Sequence, residues 1–257
     1  MPNLCIVGAM GRMGQTVGAL AANFGFTVSG ALEFKGSPAV GKSFCGAKVT
    51  DDPDAALKGA DVVIEFALAD GIVGRAAAYA RHKVPAVIGT TAVSEEGKLA
   101  LAEAAKTIPV IHAANFSLGV NLLGELLKKA SAVLGPEYDA EIVEMHHHNK
   151  KDAPSGTALY LAKMVEDGRG VGREKEIYGR FGNVGARPAG EIAIHSLRGG
   201  DVVGDHTVVF ASEGERIEFT HKAGSRSNFA LGALRAAKYL IGKEPGLYTM
   251  ADVIGLK

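Results

Sequence analysis

The sequence has no tryptophan, two cysteines and no net charge, with 28 lysine plus arginine residues balancing 28 aspartate plus glutamate residues. Each scarcity excludes something. Neutrality removes the positive field that displaces counterions from phosphates, so nucleic acid is not an expected partner. No apolar run reaches the length of a membrane span, so no membrane association is expected. Cys5 and Cys45 are too few for a disulfide framework and fit no zinc motif. Cys5 sits in an apolar strand pattern and reads as a buried thiol. The opening Met1-Pro2-Asn3-Leu4-Cys5-Ile6-Val7-Gly8 lacks a basic region followed by a long apolar stretch, so no signal peptide is expected. A protein of the reducing cytoplasm fits all of these. What the chain does have is length and apolar content: 257 residues, 47% hydrophobic, enough for one large core or two modest ones. It also has 34 glycines, whose positions carry information.

The first half alternates short apolar runs with helical patterns. Strands are expected at Leu4–Val7, Thr27–Leu32, Val62–Phe66, Ala86–Ile88 and Val110–His112. Helices are expected over Arg12–Phe24, ending near Gly25, over Ile72–Arg81, and after Ser94, where an N-cap precedes Glu95 and Glu96. Continuous apolar strands alternating with helices predict a parallel sheet covered on both faces, with functional loops after the strand carboxyl ends. After about residue 120 the pattern changes. A long helix over Leu118–Leu134 precedes a strand at Ala140–Met145 and a helix over Thr157–Glu166. Arg169–Pro188, rich in glycine and arginine, reads as a mobile loop. Strands at Glu191–Leu197, His206–Ala211 and Arg216–His221, joined by glycine turns, suggest an antiparallel or mixed sheet. A helix over Ser227–Ile241 follows.

Gly8-Ala9-Met10-Gly11-Arg12-Met13-Gly14 follows a strand and opens a helix. Such a turn lets backbone N–H groups approach a pyrophosphate at a helix N-terminus. The spacing is G-x-x-G-x-x-G rather than G-x-G-x-x-G, and glycines alone also fit any tight βα turn. Glu33 lies 19 residues after Gly14, at the end of the second strand, where an acid binds the adenosine ribose hydroxyls. Strand, turn, helix and acid together favour a dinucleotide site. Glu33 repels a 2′-phosphate and favours NADH. Lys35 either offsets that repulsion or is a solvated surface lysine. Use of both NADH and NADPH is expected, with a preference for NADH. Gly89-Thr90-Thr91 and Ala113-Ala114-Asn115-Phe116 each follow a strand and fit either a cofactor site or an ordinary turn.

The stretch from Glu144 to Thr157 (EMHHHNKKDAPSGT) is the most polar. Adjacent histidines raise metal binding first, but zinc ligands are usually spaced, as in H-x-x-x-H, and no cysteine pair matches, so no metal is expected. Histidine titrates near neutrality and can deliver a proton, and a nearby lysine can hold an anion or donate. Ser155-Gly156-Thr157 opens a helix after Pro154, and such a terminus suits a carboxylate. A capped helix behind a solvated loop would look the same; the neighbouring cofactor pattern favours a site for a small anionic substrate.

Together these segments resemble the dihydrodipicolinate (4-hydroxy-tetrahydrodipicolinate) reductase family of the diaminopimelate route to lysine. The resemblance covers almost the whole chain, from Gly8–Gly14 through Gly89–Thr91, Ala113–Asn121 and His146–Thr157 to Gly246–Val253. The most specific stretch is His146-His147 with Lys150 and Asp152–Ala158. The resemblance implies an α/β chain: a Rossmann-like doubly wound parallel sheet, residues 1–117 with 227–257, plus an α+β domain with an open mixed sheet, residues 118–226, serving substrate binding and oligomerisation. It implies a homotetramer. It makes His146 the catalytic proton donor/acceptor and Lys150 a proton donor that also orients substrate. It assigns substrate binding to His147, Ser155, Gly156 and Thr157, with Arg226 near the pocket. Gly8, Ala9, Met10, Gly11, Arg12, Met13, Glu33, Phe66, Gly89, Thr90, Thr91, Ala113, Ala114, Asn115 and Phe116 match cofactor contacts. The chain departs from the family at Glu65-Phe66-Ala67, where Asp-Phe-Thr or Asp-Phe-Ser is common, and at Phe34, where many members have arginine.

The implied substrate is a small cyclic dicarboxylate that loses water and accepts hydride at C4, with the neighbouring carbon protonated by His146. Another reductase on the same scaffold, such as an amino-acid dehydrogenase, or a non-catalytic nucleotide sensor, are the alternatives. A sensor leaves the His146–Thr157 segment unexplained.

Overall fold

Residue 5 points one way and residue 6 the other, and the first half of the structure follows from that alternation. The structure is a computed structural model describing residues 1–256. It divides into two units, residues 1–118 with 227–256, and residues 119–226. In chain order the first unit runs β1 (Asn3–Val7), α1 (Arg12–Ala21), β2 (Thr27–Leu32), β3 (Ser43–Phe44), β4 (Ala47–Thr50), α2 (Pro53–Leu57), β5 (Val62–Glu65), α3 (Ile72–His82), β6 (Ala86–Ile88), α4 (Glu95–Ala104) and β7 (Pro109–His112). Then come α5 (Leu118–Leu134), β8 (Asp139–His146), α6 (Gly156–Arg169), β9 (Glu176–Tyr178), β10 (Ile192–Arg198), β11 (Gly204–Ser212) and β12 (Glu215–Ala223) of the second unit. The chain returns to the first unit as α7 (Ser227–Leu240), β13 (Gly246–Tyr248) and α8 (Met250–Ile254).

The first sheet has the order β13-β7-β6-β5-β1-β2-β4-β3. All its pairings are parallel except β3–β4 at one edge. Leu4 and Ile6 of β1 pack into a core shared with α1 and α7, while Cys5 and Val7 enter the opposite core with α2, α3 and α4. Both faces are therefore covered, as continuous apolar strands require. Burial, with Glu65 nearby, pushes the Cys5 thiol up to about 12, so it stays protonated and inert. Local signals set the ends. The Ser94 side chain accepts from the Gly97 N–H at the start of α4, and Gly25 closes the first helical segment in the left-handed conformation.

The second sheet has the order β12-β11-β8-β10-β9 and is mixed. β8 is parallel to β10 and antiparallel to β11. Its alternate residues Ala140, Ile142, Glu144 and His146 are buried, so one strand face passes from apolar core to buried charge. The expected mobile loop at 169–188 is corrected: it holds β9, and Arg180 and Arg187 bind Glu141 of β8 at 2.9–3.0 Å. Arg187 also reaches Asp139 at 2.6 Å. Burial raises the Glu141 carboxyl, but hydrogen bonds from Arg180, Arg187 and His195 outweigh it and bring it down to about 2. The strand β9 escaped detection because it is three residues long.

Candidate active site

In the first unit, every segment marked for cofactor contact follows the carboxyl end of a parallel strand: residues 8–13 after β1, 33–35 after β2, 66 after β5, 89–91 after β6 and 113–116 after β7. The chain steps from β1 to β2 on one side and takes up β5 on the other, which makes this edge a topological switch point.

The glycine turn is built for close approach. Gly8 has φ of 74°, and a Cβ there would lie 2.6 Å from the Phe66 carbonyl oxygen. A Cβ at Gly14 would lie 2.2 Å from the Gly8 carbonyl oxygen, so α1 can sit against the turn only with glycine there. The Gly8 N–H donates to the Leu32 carbonyl at 2.9 Å and the Gly11 N–H to the Gly8 carbonyl at 3.0 Å. The Met10 N–H donates to Glu33 Oε1 at 2.7 Å. The Gly11 amide is thus already bonded within the turn, and α1 opens at Arg12 without a side-chain cap, which leaves its first amides as the free N–H groups of this helix end. Glu33 is aimed by the turn, with Oε2 left over for a hydroxyl donor. Phe34 and Lys35 are exposed beside it. These residues fit a dinucleotide.

Glu65 is buried completely. It accepts from Arg75 Nη2 and from the Thr90 hydroxyl, both at 2.8 Å, and from the Tyr79 hydroxyl. Arg75 also donates to the Leu68 and Asp70 carbonyls. Thr90 thus turns its side chain inward as a brace, while Thr91 is exposed. Phe66 and Phe116 meet edge to face with centroids 5.9 Å apart. The Thr90 hydroxyl also lies 3.1 Å from the Ala67 carbonyl.

In the second unit the buried end of β8 carries a charged cluster. Glu144 is fully buried and His146 is 8% exposed. His146 Nδ1 is 2.6 Å from Glu144 Oε2. Arg198 of β10 grips both Glu144 oxygens, Nη1 to Oε2 and Nη2 to Oε1, each at 2.9 Å. The Ser155 N–H adds a bond to Oε1 at 3.2 Å. Burial raises Glu144, but Arg198, Ser196 and His146 overcome this and its carboxyl lies below the usual range. His146 lies below its usual value, first through burial, with Glu144 opposing and Lys150 and Arg198 adding to the depression. His206 of β11 packs edge to face on His146, centroids 5.1 Å apart, and its Nε2 lies 3.0 Å from Ser155 Oγ. Burial, then the charge of His146, brings His206 down to about 4.

Ser155 caps α6 through the Ala158 N–H, and Gly156 and Thr157 form the first turn. Lys150 Nζ pairs with Asp152 Oδ2 at 2.9 Å in the loop after β8. His147 is tied by its N–H to the Val202 carbonyl at 2.8 Å. Arg226 is exposed in the turn before α7 and takes no part in the bonds that hold His146. Sequence reading missed Glu144 as a partner, and missed Arg198 and His206 altogether. Strand register unites them, Arg198 opposite His146 and His206 opposite Glu144. Their one sequence signal is polar residues two apart, Glu144 and His146, on a face otherwise apolar.

Residues 2–116 match the family model described as dihydrodipicolinate reductase, N-terminus, and residues 119–254 match that described as dihydrodipicolinate reductase, C-terminus. A 4-hydroxy-tetrahydrodipicolinate reductase of Anaeromyxobacter dehalogenans strain 2CP-C is 48% identical over 267 residues, covering 100% of this chain and 99% of that one. One from Thiobacillus denitrificans is also 48% identical, over 99% and 98% of the two chains. The dipicolinate-bound dihydrodipicolinate reductase of Paenisporosarcina sp. TG-14 superposes with a TM-score of 0.81 at 25% identity, covering 99% of both chains. The amine dehydrogenase of Mycobacterium smegmatis shares the fold, with a TM-score of 0.59 at 12% identity. With both halves matched and full-length relatives at nearly half identity, the chain belongs to the dihydrodipicolinate reductase family.

Proposed function

We propose that this chain reduces 4-hydroxy-tetrahydrodipicolinate to tetrahydrodipicolinate with loss of water, using NADH or NADPH, in the diaminopimelate route to lysine. The observation that carries this reading is the His146 cluster, buried on β8 and followed by Lys150 and the α6 terminus, in a chain 48% identical end to end to reductases so named. The nicotinamide cofactor, when bound, supplies the hydride. The chain's residues do the rest. The amides of Arg12 and Met13 would hold the pyrophosphate, and Glu33 the ribose hydroxyls. Lys150, His147 and the first turn of α6 hold the two carboxylates. Hydride addition at one end of a conjugated imine leaves electron density at the other, and His146 delivers the proton there. Arg226 is carried over from the family resemblance alone, as an arginine near the substrate pocket. The family resemblance also supports a homotetramer working in the cytoplasm; light scattering of the purified chain tests the assembly.

The reading is tested by following NADH oxidation with freshly prepared hydroxytetrahydrodipicolinate. Substrate-dependent oxidation, inhibited competitively by 2,6-pyridinedicarboxylate, is expected. No oxidation with this substrate, alongside turnover of an amino acid, would assign a different reductase.

A further inference from the structure

Glu144 is given no role by the proton transfer as described, yet burying a carboxylate is costly unless it is fully paired. Its pairing is unusually complete. Both oxygens accept from the Arg198 fork, Oε1 accepts from the Ser155 N–H, and Oε2 faces His146 Nδ1. An ionised carboxylate only accepts, so a ring nitrogen 2.6 Å from it must carry the proton. The neutral His146 ring is therefore the Nδ1–H tautomer. Its other nitrogen, Nε2, faces Gly204, where any Cβ would come within 2.9 Å of it. A side chain at this position would crowd Nε2, and glycine avoids that.

We infer that Glu144, locked by the Arg198 guanidinium, is a positioning residue that holds the resting proton of His146 on Nδ1 and thereby makes Nε2 the nitrogen that exchanges a proton with substrate. The inference rests on the proposed role of His146. The charged and titratable groups around the ring are Glu144 on its own strand, Lys150 and Asp152 in the following loop, Arg198 on β10 and His206 on β11, with His221 of β12 opposite His206. Among them Glu144 is the carboxylate bonded to the ring, so it is the group that favours the imidazolium. His206 is buried and neutral near pH 7, so it adds an aromatic edge rather than a second charge.

Glu144→Gln makes the sharp test. The carboxamide has one acceptor and one donor where the carboxylate had two acceptors. Arg198 Nη2 and the Ser155 N–H both donate at the Oε1 position, against Arg198 Nη1 alone at Oε2, so the amide oxygen settles at Oε1. The NH₂ then faces Nδ1, which must become an acceptor. The ring proton moves to Nε2, and a neutral Nε2–H is too weak an acid to replace the imidazolium.

In full-length enzyme labelled with ¹⁵N-histidine, the His146 signal is identified by its loss in His146→Gln. Wild type should show the Nδ1–H tautomer and Glu144→Gln the Nε2–H tautomer. In the variant, kcat should fall by about two orders of magnitude or more with KM nearly unchanged, and the pH at half-maximal kcat/KM should drop by about one pH unit. Glu144→Asp should restore the Nδ1–H tautomer and part of kcat. Should Glu144→Gln fail to fold, Arg198→Lys keeps a cation without the fork and should give a mixture of tautomers with intermediate kcat. An Nε2–H tautomer in wild type, or a tautomer and pH profile unmoved in Glu144→Gln, would overturn the inference. The tautomer is read without substrate. Absence of NADH oxidation by wild type therefore counts against the proposed reaction alone, and a wrong tautomer in an active enzyme counts against Glu144 alone.

Discussion

The two units build their sites from different material. At the carboxyl edge of the first sheet the work falls mainly to backbone: a glycine turn, the opening amides of α1, and loops after five parallel strands. Glu33 is aimed by the Met10 N–H, and the Thr90 hydroxyl reaches the Ala67 carbonyl. On β8 of the second unit the work falls to side chains, and each is held by another, Arg198 on Glu144, Glu144 on His146, Ser155 on His206. A backbone site tolerates exchange of most exposed side chains and fails where a Cβ intrudes. A side-chain network fails when any one member is cut, because the remaining buried groups lose their partners.

The largest expected effect separates the units most cleanly. His146→Gln should lower kcat by about 10²–10⁴-fold while leaving NADH affinity unchanged, measured by steady-state kinetics and by fluorescence titration. Parallel loss of NADH binding would erase the contrast between the units. Next is Arg75→Ala in the first unit, which strands the fully buried Glu65 carboxylate beneath the cofactor edge. Urea denaturation should show a loss of about 3–5 kcal/mol. A loss below about 1 kcal/mol would mean that Tyr79 and Thr90 suffice to hold Glu65.

Within the second unit, acid should act through His206. Its folded value of about 4 lies below the ordinary histidine value of 6.5, so the unfolded chain binds the proton first. Stability is then intact above pH 6.5 and is lost progressively as pH falls toward 4, by up to about 3 kcal/mol. His206→Asn should flatten that part of the stability profile relative to wild type; identical profiles would refute the assignment. The smallest effect concerns Glu33 and Lys35. The kcat/KM for NADH should exceed that for NADPH by less than about tenfold, or about 1.4 kcal/mol. A strong preference for NADPH would show that Lys35 and Arg12 outweigh the carboxylate.

The same contrast explains what was legible beforehand. β2, β6 and α5 stand where apolar patterning puts them, and α4 starts at its Ser94 cap, because these signals are local. The glycine turn and the run from His146 to Thr157 were visible for the same reason: each is contiguous. The short pieces β3, β4 and α2 were not visible, since two to five residues carry too little periodicity. β13 and α8 escaped for the same reason and are held by pairing with β7 and by a Thr249–Asp252 capping box. Arg198 and His206 lie 52 and 60 residues beyond His146 and join it only through strand register, which no local pattern encodes. The loop at 169–188 misled because its arginines look like solvated charge, whereas Arg180 and Arg187 are spent on Glu141.

The proposed reaction, hydride transfer from a nicotinamide to C4 of a cyclic dicarboxylate with His146 as proton donor, is tested most directly by isotope transfer. Wild-type enzyme would be given hydroxytetrahydrodipicolinate and NADH deuterated at both C4 positions of the nicotinamide, and the product examined by NMR. The account predicts one deuterium at C4 of tetrahydrodipicolinate and none at the neighbouring carbon, whose new hydrogen comes from water by way of His146. A product without deuterium at C4, or with the label on the neighbouring carbon, would contradict it.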